Sequence, residues 1–332
     1  MKQHLFKTRL LLIISAVLML LAYQTPASIA ETTQTITLHP GWNAVYLEVQ
    51  PVVKTPATIF KDLPVESVWT WFDRTTSVEF IRDPSDGLWA EPGWSVYSKS
   101  QDKASTNNLY AIFANRPYLI KLSGRQNVIW SVTGNPATDK TVWTPNSFNL
   151  VGFHVNPNNP PTFTEYFSSY PAHAGKRLFR FNTSGKWEPI TNPAATTIKS
   201  GDAYWVYCDG TSTYQGPISI QILGSELNYG TNSDMNSVTI TNDSSATRMI
   251  TIKFLPSSDW LTYQLFNTAT GFNEYPKLDT WTIELSVGRQ RNIWLAVRRE
   301  LLSNGIHQGN LEITDDVGFR FLIPVKVEKL AQ

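Results

Sequence analysis

The stretch "GWNAVYLEVQP" (residues 41–51) returns 106 positions later as "SFNLVGFHVNP" (147–157). Both run from an aromatic residue and an asparagine through an aliphatic residue and a valine, then alternate up to a proline. Alternation with a period of two predicts a β-strand with one face on a core. The predicted core faces carry Val45, Leu47 and Val49 in the first stretch and Val151, Phe153 and Val155 in the second. We expect the opposite faces to be a partly solvated surface or an interface between modules. These faces carry Trp42, Ala44, Tyr46 and Glu48, and Phe148, Leu150, Gly152 and His154.

The match between the two stretches continues downstream in the same order. The further pairs are "VWTWFD" (68–73) with "LFRFNT" (178–183), "GWSVYS" (93–98) with "KWEPIT" (186–191), "AIFANRPYLIKLSG" (111–124) with "TIKSGDAYWVYCDG" (197–210), and "VIWSVTG" (128–134) with "ISIQILG" (218–224). An internal repeat of this kind indicates duplicated folding units. The sequence predicts module 1 at residues 31–134, with an insertion at 75–92, and module 2 at 142–224.

One short helix is predicted in each copy. The segments "PATIFKDLP" and "PTFTEYFSSYP" follow the opening strands and place apolar residues three and four positions apart between prolines. This spacing is typical of a helix, here of about two turns. Each module is therefore expected to be a small, mostly antiparallel β-structure with one helix.

The lone cysteine, Cys208, occupies a position that the first copy fills with Leu122. Its neighbours are an aromatic residue and the acidic Asp209, and an anion raises a thiol pKa, whereas a nucleophile needs an electropositive setting. The pattern favours a small buried hydrophobic residue. An intermolecular cross-link and a catalytic thiol are the alternatives.

The third predicted domain spans residues 226–332. Two alternating strands flank the turn-like 242–245, a hairpin with its turn at Gly318 spans 304–327, and further strands are expected near 281–285 and 291–297. About seven strands at this spacing suggest an immunoglobulin-like sandwich. Aromatic residues make up 12% and charged residues 17% of the chain, a composition that favours strands over long helices. The predicted fold class is mainly β, with two repeated antiparallel modules and a C-terminal sandwich.

The first thirty residues have the pattern of a cleavable export signal. Lys2, Lys7 and Arg9 precede an apolar run from Leu10 to Ala22, and small residues end the segment at Ala30. A membrane anchor is the alternative, but the run is shorter than the roughly 20 apolar residues needed to span a bilayer. Without its three basic residues the chain keeps 25 basic and 27 acidic residues, a net charge of about −2. We therefore expect an exported protein located outside the cell, at its surface or in the periplasm. Binding to nucleic acid and membrane insertion after cleavage are not expected.

The second copy resembles secreted bacterial repeats that begin with "GWNLVGLP" and contain a "GYWI" strand near the end. The resemblance covers most of residues 36–224 and rests on "SFNLVGF", "LFRFNTSGKW" and "SGDAYWVYCDG". The first copy departs from it, with Asn115-Arg116-Pro117 where a glycine segment belongs. Residues 226–330 resemble a BACON-type domain through "SSDWLTY" and the later "NIWLAV" to "IPVKV" segments, with His307 where tyrosine is usual. These resemblances imply extracytoplasmic adhesion or spacer modules, with no catalytic residue to transfer.

Candidate binding residues are aromatic. Trp89 lies in the insertion, near Trp71, Trp94 and Tyr97, and these rings are a candidate platform for a sugar or a partner side chain. The repeat offers a core position as the alternative for Trp71 and Trp94, because copy two has Phe181 and Trp187 there. On module 2 the candidates are Trp205 and Tyr207, which replace Leu119 and Lys121. These two are expected either to dock against a neighbouring domain or to bind a ligand.

No catalytic residue, metal ligand or cofactor is predicted. The four histidines after the leader lack metal-ligand spacing, and no nucleophile or phosphate-binding motif occurs. Carboxylates cluster only in the insertion, at Glu79, Asp83, Asp86 and Glu91, where a glycosidase pair or a calcium loop are the alternatives to a plain turn.

These features are compatible with three functions. The first is a non-enzymatic exported scaffold, adhesion or assembly module, with other exported proteins or extracellular polysaccharide as partners. The second is a carbohydrate-binding protein, and the third is a glycoside hydrolase.

Overall fold

The computed structural model describes residues 30–71 and 93–331. Within these ranges the chain is mainly β, with several antiparallel sheets and few short helices, as the sequence predicts. The predicted export signal, except Ala30, lies outside the described residues, as does the whole insertion at 75–92. No helix in the described ranges is long and apolar enough to cross a membrane.

Module 1 contains two antiparallel sheets. The three-stranded sheet has the order β1-β7-β3 and consists of β1 (Thr32–Leu38), β7 (Val128–Pro136) and β3 (Val49–Pro51). The four-stranded sheet has the order β2-β6-β4-β5 and consists of β2 (Gly41–Leu47), β6 (Arg116–Leu122), β4 (Val65–Trp71) and β5 (Trp94–Ser98). A 3₁₀ helix spans Gln101–Thr106.

The core of module 1 lies between its sheets. Val45, Leu47 and Val49 are buried in it, so the predicted core face of the opening stretch is confirmed. The predicted helix is present but shorter than expected, because α1 covers only Pro56–Ile59. The C-cap residue of this helix, Phe60, is fully buried, and its ring centroid lies 5.2 Å from that of Trp130.

Module 2 has one four-stranded sheet in the order β10-β9-β11-β8. Its strands are β8 (Ser147–Val151), β9 (Leu178–Phe181), β10 (Trp187–Pro189) and β11 (Tyr204–Cys208). The helix α2 spans Phe163–Phe167, about one turn rather than two, and begins with a capping box between Thr162 and Glu165. Val151, Phe153 and Val155 lie in the module 2 core, as predicted.

The two modules share one strand register. Val45 lies opposite Tyr118 in module 1, and its repeat counterpart Val151 lies opposite Tyr204 in module 2. The two tyrosines also share a hydrogen bond. Each hydroxyl accepts an N–H from the residue five positions earlier, at 2.8 Å from Phe113 and at 3.0 Å from Lys199. The repeat seen in the sequence is thus a repeat of geometry.

The asparagine of the repeat is buried in both copies and fixes the chain entering the opening strand. Asn43 Oδ1 accepts the His39 N–H at 2.7 Å, and its Nδ2 donates to the His39 carbonyl at 2.8 Å. Asn149 does the same with Thr144, at 2.7 and 3.1 Å. Because buried polar groups need partners, the asparagine is required by the backbone around it.

The C-terminal unit is a two-sheet sandwich. One sheet has the order β12-β14-β20-β16, with β12 (Ile218–Gln221), β14 (Met235–Asn242), β20 (Gln290–Val297) and β16 (Leu261–Tyr263). The other has the order β13-β22-β21-β15-β19, with β13 (Leu227–Asn228), β22 (Arg320–Lys329), β21 (Gly305–Asp315), β15 (Arg248–Leu255) and β19 (Thr280–Leu285). A hairpin of β17 (Leu265–Asn267) and β18 (Phe272–Glu274) and a 3₁₀ helix at Arg299–Leu301 complete it.

Most of the sandwich follows the sequence prediction. The turn at Gly318 has a φ of 121°, and the two sheets enclose one apolar cluster. One strand differs. The sequence places residues 218–224 at the end of module 2, but β12 pairs with β14 at the edge of the sandwich, whereas its counterpart β7 pairs with β1 and β3 of its own module. Nine strands in the two sheets exceed the expected seven.

Cys208 lies in the module 2 core with no exposed surface, as predicted. Burial, together with the neighbouring Asp209 carboxylate, raises the pKa of its thiol above the ordinary value. The thiol is therefore kept neutral and packs as a hydrophobic side chain.

Candidate binding groove

The outward faces of the two four-stranded sheets pack against each other. Ala44, Leu150 and Ala203 are buried between them. Larger side chains from both modules pack around these three, namely Trp71, Trp94, Leu119, Phe181, Trp187 and Trp205. Of the two expectations for these faces, the interface between modules is the one observed.

Tyr46 packs directly against Gly152 in this interface. They occupy the same repeat position in the two modules, but one is large and the other has no side chain. A Cβ added at Gly152 would lie only 2.0 Å from Tyr46 Cγ. Burial, with a contribution from the Glu48 carboxylate, raises the pKa of Tyr46 well above its ordinary value. Its hydroxyl therefore keeps its proton and donates to the side-chain oxygen of Asn115.

Strand β2 gains an additional backbone partner from module 2. The Tyr46 N–H donates to the Gly201 carbonyl at 2.7 Å, and the Ala203 N–H donates to the Ala44 carbonyl at 3.2 Å. Val45 and Asp202 form the antiparallel bridge between these two bonds. Residues 201–203 thus extend the sheet of module 1 beyond its edge.

The equivalent edge of module 2, β8, lacks this pairing. The repeat partners of Gly201 and Ala203 are Asn115, which shares the positive φ at 55°, and Pro117. Proline has no N–H, so the bond that Ala203 gives to Ala44 has no counterpart at Leu150. No backbone hydrogen bond among the described residues joins Leu150 or Gly152 to Asn115 or Pro117.

A groove with a cavity volume of about 700 Å³ lies along this open edge. One wall is β8 with Gly152, and the other consists of residues 114–117 and 139–142. Trp71 and Trp205 also line it. The Asn115 amide closes one part of the second wall by donating to the Asp139 carbonyl at 2.9 Å. The groove therefore joins aromatic rings to a strand edge and charged side chains.

Two of the predicted binding residues, Trp205 and Tyr207, lie on the same face of β11. Trp205 lines the groove, and its ring centroid lies 6.0 Å from that of Trp187 within the inter-module layer. The Tyr207 ring contacts the Phe148 ring at 5.2 Å and the Arg177 guanidinium at 5.1 Å. Docking between domains, one of the two alternatives, thus explains the contacts of Trp205 in the inter-module layer. Trp205 also lines the groove.

Of the predicted aromatic platform of module 1, Trp71, Trp94 and Tyr97 lie within the described residues. Trp94 packs its ring 5.3 Å from that of Trp71 in the inter-module layer, rather than in a module core. Tyr97 packs against the module 1 core beside Phe60, with ring centroids 6.5 Å apart. Trp89 lies outside the described residues. Trp71, another residue of that platform, lines the groove.

The second wall of the groove does not follow from the sequence patterns of the two modules. Asp139 and Lys140 belong to the segment between the predicted modules, which carried no assignment. The available signal was the substitution of Gly201-Asp202-Ala203 by Asn115-Arg116-Pro117 in the first copy. The effect of this substitution depends on how residues 201–203 lie against β2. The pattern within one strand does not reveal such a contact.

Asp202, beside the β2 edge, is an acidic group of this interface with a shifted pKa. Burial raises the pKa of its carboxyl from 3.8 to about 6, although Lys199 and His39 act in the opposite direction. Deeper in the same junction, Glu48 accepts from Ser200 Oγ at 2.8 Å and lies 3.5 Å from His154 Nδ1. These groups hold the modules together and do not face the groove.

Among the described residues, no group of three His, Cys, Asp or Glu side chains is placed to hold a metal ion. A serine and a histidine do meet in module 2, where Ser212 Oγ lies 2.8 Å from His173 Nε2. His173 is buried and its Nδ1 has no hydrogen-bond partner in the described chain, so the carboxylate that orients a catalytic histidine is missing.

No family model matches this chain, and no curated protein matches it. Among solved structures it is similar to a chaperone and tip-adhesion subunit complex of the archaic chaperone-usher Csu pili of Acinetobacter baumannii, at 11% identity and a TM-score of 0.24, over 34% of this chain and 52% of that one. It is similar to an ASH/PapD-like domain of human CEP192 at 7% identity and a TM-score of 0.25, over 35% and 87%. It is also similar to the periplasmic chaperone SfaE at 7% identity and a TM-score of 0.23, over 34% and 57%. The chain thus spans about half the length of the first of these. These are distant likenesses to PapD-like and immunoglobulin-like β domains, and they carry no functional argument.

Proposed function

We propose that this chain is exported and acts outside the cytoplasm as a non-enzymatic scaffold or assembly module, with the groove along β8 as its binding site. The observation that carries the proposal is the groove itself, which presents an open strand edge and aromatic rings between two walls held by packed modules. Open edges and exposed rings are features through which proteins bind partners.

The joints between the three units support a scaffold role. The two modules share a buried apolar layer and the backbone bonds to β2. Module 2 meets the sandwich where the Asn156 N–H donates to the Gly318 carbonyl at 2.8 Å, next to a bridge between Val155 and Phe319. Asn310 of the sandwich donates to the Ala30 carbonyl at 3.1 Å. Packing and main-chain bonds thus fix the groove walls relative to each other.

The proposal of a non-enzymatic role rests on the chemistry of the described residues. The contact between Ser212 and His173 lacks a third group, and the raised pKa of the Cys208 thiol disfavours a thiolate nucleophile. The carboxylates of the hydrolase hypothesis, Glu79 to Glu91, lie outside the described ranges. Catalysis there stays a weaker hypothesis without a supporting observation.

The family resemblances also belong to this proposal. The repeated register of the two modules and the two-sheet sandwich agree with aromatic repeat modules followed by a BACON-like domain. We propose this domain organisation on the motifs alone. It supports an extracytoplasmic location, with exported proteins or extracellular polysaccharide as partners.

Carbohydrate binding is the second candidate, and one observation favours it. Trp71 and Trp205 line the same groove as the polar side chains of Asn115 and Asp139, and sugars bind to aromatic faces flanked by polar groups. A glycan array with the wild type, Trp205→Ala and Trp89→Ala tests it. Saturable binding lost only in Trp205→Ala supports a sugar site in this groove, whereas silence across the array removes this candidate.

The main test combines export with local cross-linking. The chain with its leader is expressed in its native cell, and the mature N-terminus is sequenced. We expect Glu31 to be the first residue. A photoreactive amino acid then replaces Lys140 in the groove or, as the control, Leu223, which is 90% exposed and does not line the groove. A discrete adduct from position 140 alone supports the proposal. Retention of the leader, or equal adducts from both positions, contradicts it.

A further inference from the structure

Strand β8 lies at the edge of its sheet, with β11 as its ladder neighbour. Backbone groups of a strand alternate in direction, so residues that do not bond β11 point their N–H and C=O groups toward the groove. The shared register identifies them. Ala44 and Tyr46 direct their groups away from β6, and their counterparts in β8 and just after it are Leu150 and Gly152.

The edge of module 1, β2, shows what kind of segment pairs with such an edge. An extended segment of three residues, Gly201 to Ala203, lies antiparallel to β2 and makes two backbone hydrogen bonds with it. The residues that flank the bridge are small, which lets the added backbone approach the sheet. In module 2 a cavity lies along the equivalent edge of the described residues, and Pro117, the counterpart of Ala203, has no N–H to donate there.

From this asymmetry we infer that the groove binds an extended polypeptide segment of a partner, which adds to β8 as an antiparallel strand. The inference rests on the proposed function and names the chemistry of its partner. Five residues of β8 span roughly 17 Å at the usual rise per residue. The cavity of about 700 Å³ lies along that length. In the partner segment, we expect small residues next to β8 to alternate with apolar residues that reach Trp205 and Phe148.

An extended peptide fits this edge better than a sugar because its own N–H and C=O groups repeat at strand spacing. Strand addition of this kind obtains affinity from main-chain bonds and specificity from pockets for alternate side chains. Here Trp71 and Trp205 line the cavity that receives those side chains. Hydrogen exchange at the Leu150 amide, combined with light scattering, therefore distinguishes a bound peptide from a sugar and from a second copy of this chain.

The probe is a capped peptide with the sequence of residues 198–204, IKSGDAY, which contains the segment that β2 already binds. Its control replaces the alanine by N-methylalanine, which removes one donor and keeps the side chain. Binding to the full mature chain is measured by the tryptophan fluorescence of the protein and by hydrogen exchange at the Leu150 and Gly152 amides. We expect saturable binding, protection of both amides, and affinity at least about fivefold weaker for the N-methyl peptide, the effect of one lost hydrogen bond.

A matched protein variant completes the test. Pro117→Ala restores the donor that the sister module has at Ala203, so the chain can pair residues 115–117 with β8 itself. We expect the peptide to bind this variant at least about tenfold more weakly, with both amides already protected before the peptide is added. Pro117→Gly also restores the donor without a side chain and must behave in the same way.

Several results overturn the inference. They are equal affinity for the two peptides, absence of binding at millimolar peptide, and a soluble oligosaccharide that perturbs Trp205 without protecting the Leu150 amide. A dimer in light scattering whose formation protects that amide assigns the edge to a second copy and also overturns it. If strand addition fails while position 140 still cross-links a partner, the proposed function survives. If position 140 gives no adduct, the proposed function fails whatever the peptide does.

Discussion

Substitution of Gly152 by alanine tests how the two modules are joined. The added Cβ would lie 2.0, 2.3 and 2.5 Å from three atoms of Tyr46, all below the 3.0 Å that real Cβ contacts respect. Tyr46 has little room to move, because only 2% of its surface is exposed and its hydroxyl is bonded to Asn115. Overpacking in a closed site costs about 1–3 kcal/mol. The reduced freedom of the unfolded chain returns up to ~1 kcal/mol. We expect Gly152→Ala to lower the free energy of unfolding by about 1–2 kcal/mol.

The double variant identifies the cause. Tyr46→Ala alone should cost about 3–5 kcal/mol, as large aromatic truncations do. In that background the new Cβ meets a cavity, so Gly152→Ala should cost nothing further. The coupling between the two substitutions is then at least ~1 kcal/mol, above the error of additivity for distant sites.

The assay is urea unfolding followed by tryptophan fluorescence, with Gly309→Ala as the control. Gly309 is similarly crowded, since a Cβ there would lie 2.4 Å from Phe254 Cζ, but this contact is in the sandwich. The cost of Gly309→Ala should be the same in the wild type and in the Tyr46→Ala background. If the costs of Gly152→Ala and Tyr46→Ala add without coupling, the described packing of the interface is refuted.

Three further outcomes follow from the structure. Asp202 has a folded pKa raised to about 6, so its contribution to stability is present below about pH 4 and is lost as the pH rises through 6. Asp202→Asn should therefore be more stable than the wild type above pH 6, by up to ~3 kcal/mol, and no more stable near pH 4 in paired urea titrations. Burial lowers the pKa of His173 to about 4, so stability should fall by up to ~3 kcal/mol as the pH drops from 6.5 to 4. His173→Gln should lack that component, and identical pH profiles would exclude this cause. Asn149→Leu should cost ~2 kcal/mol or more in thermal unfolding, because it removes the two hydrogen bonds between the buried Asn149 amide and the Thr144 backbone, while the exposed Asn158→Ala should stay within about 0.5 kcal/mol.

The predictions from sequence succeeded where a short-range period was sufficient. Alternation assigned the core faces around Val45 and Val151, and comparison of the copies placed Cys208 in the core from Leu122 alone. Both inferences need only the direction of a side chain within one strand. The helices were overestimated, because apolar spacing between two prolines fits one turn as well as two.

The remaining features depend on which strands meet. Alternation in 218–224 is the same whether β12 belongs to module 2 or to the sandwich, and the structure pairs it with β14. The groove requires the contact of residues 201–203 with β2, which is long-range. The departure at Asn115-Arg116-Pro117 was visible in the sequence, but its meaning depended on that contact.

Because of the proline at position 117, the two modules differ in the backbone donors that they offer to each other's opening strand. Among the described residues, the edge of β2 is paired by residues 201–203, whereas Pro117, the counterpart of Ala203, has no N–H to give to β8. Proline and alanine codons differ at one base, so a single point mutation is enough to restore the backbone donor at position 117. Selection for or against a partner could therefore act through the main chain of one residue in the groove wall.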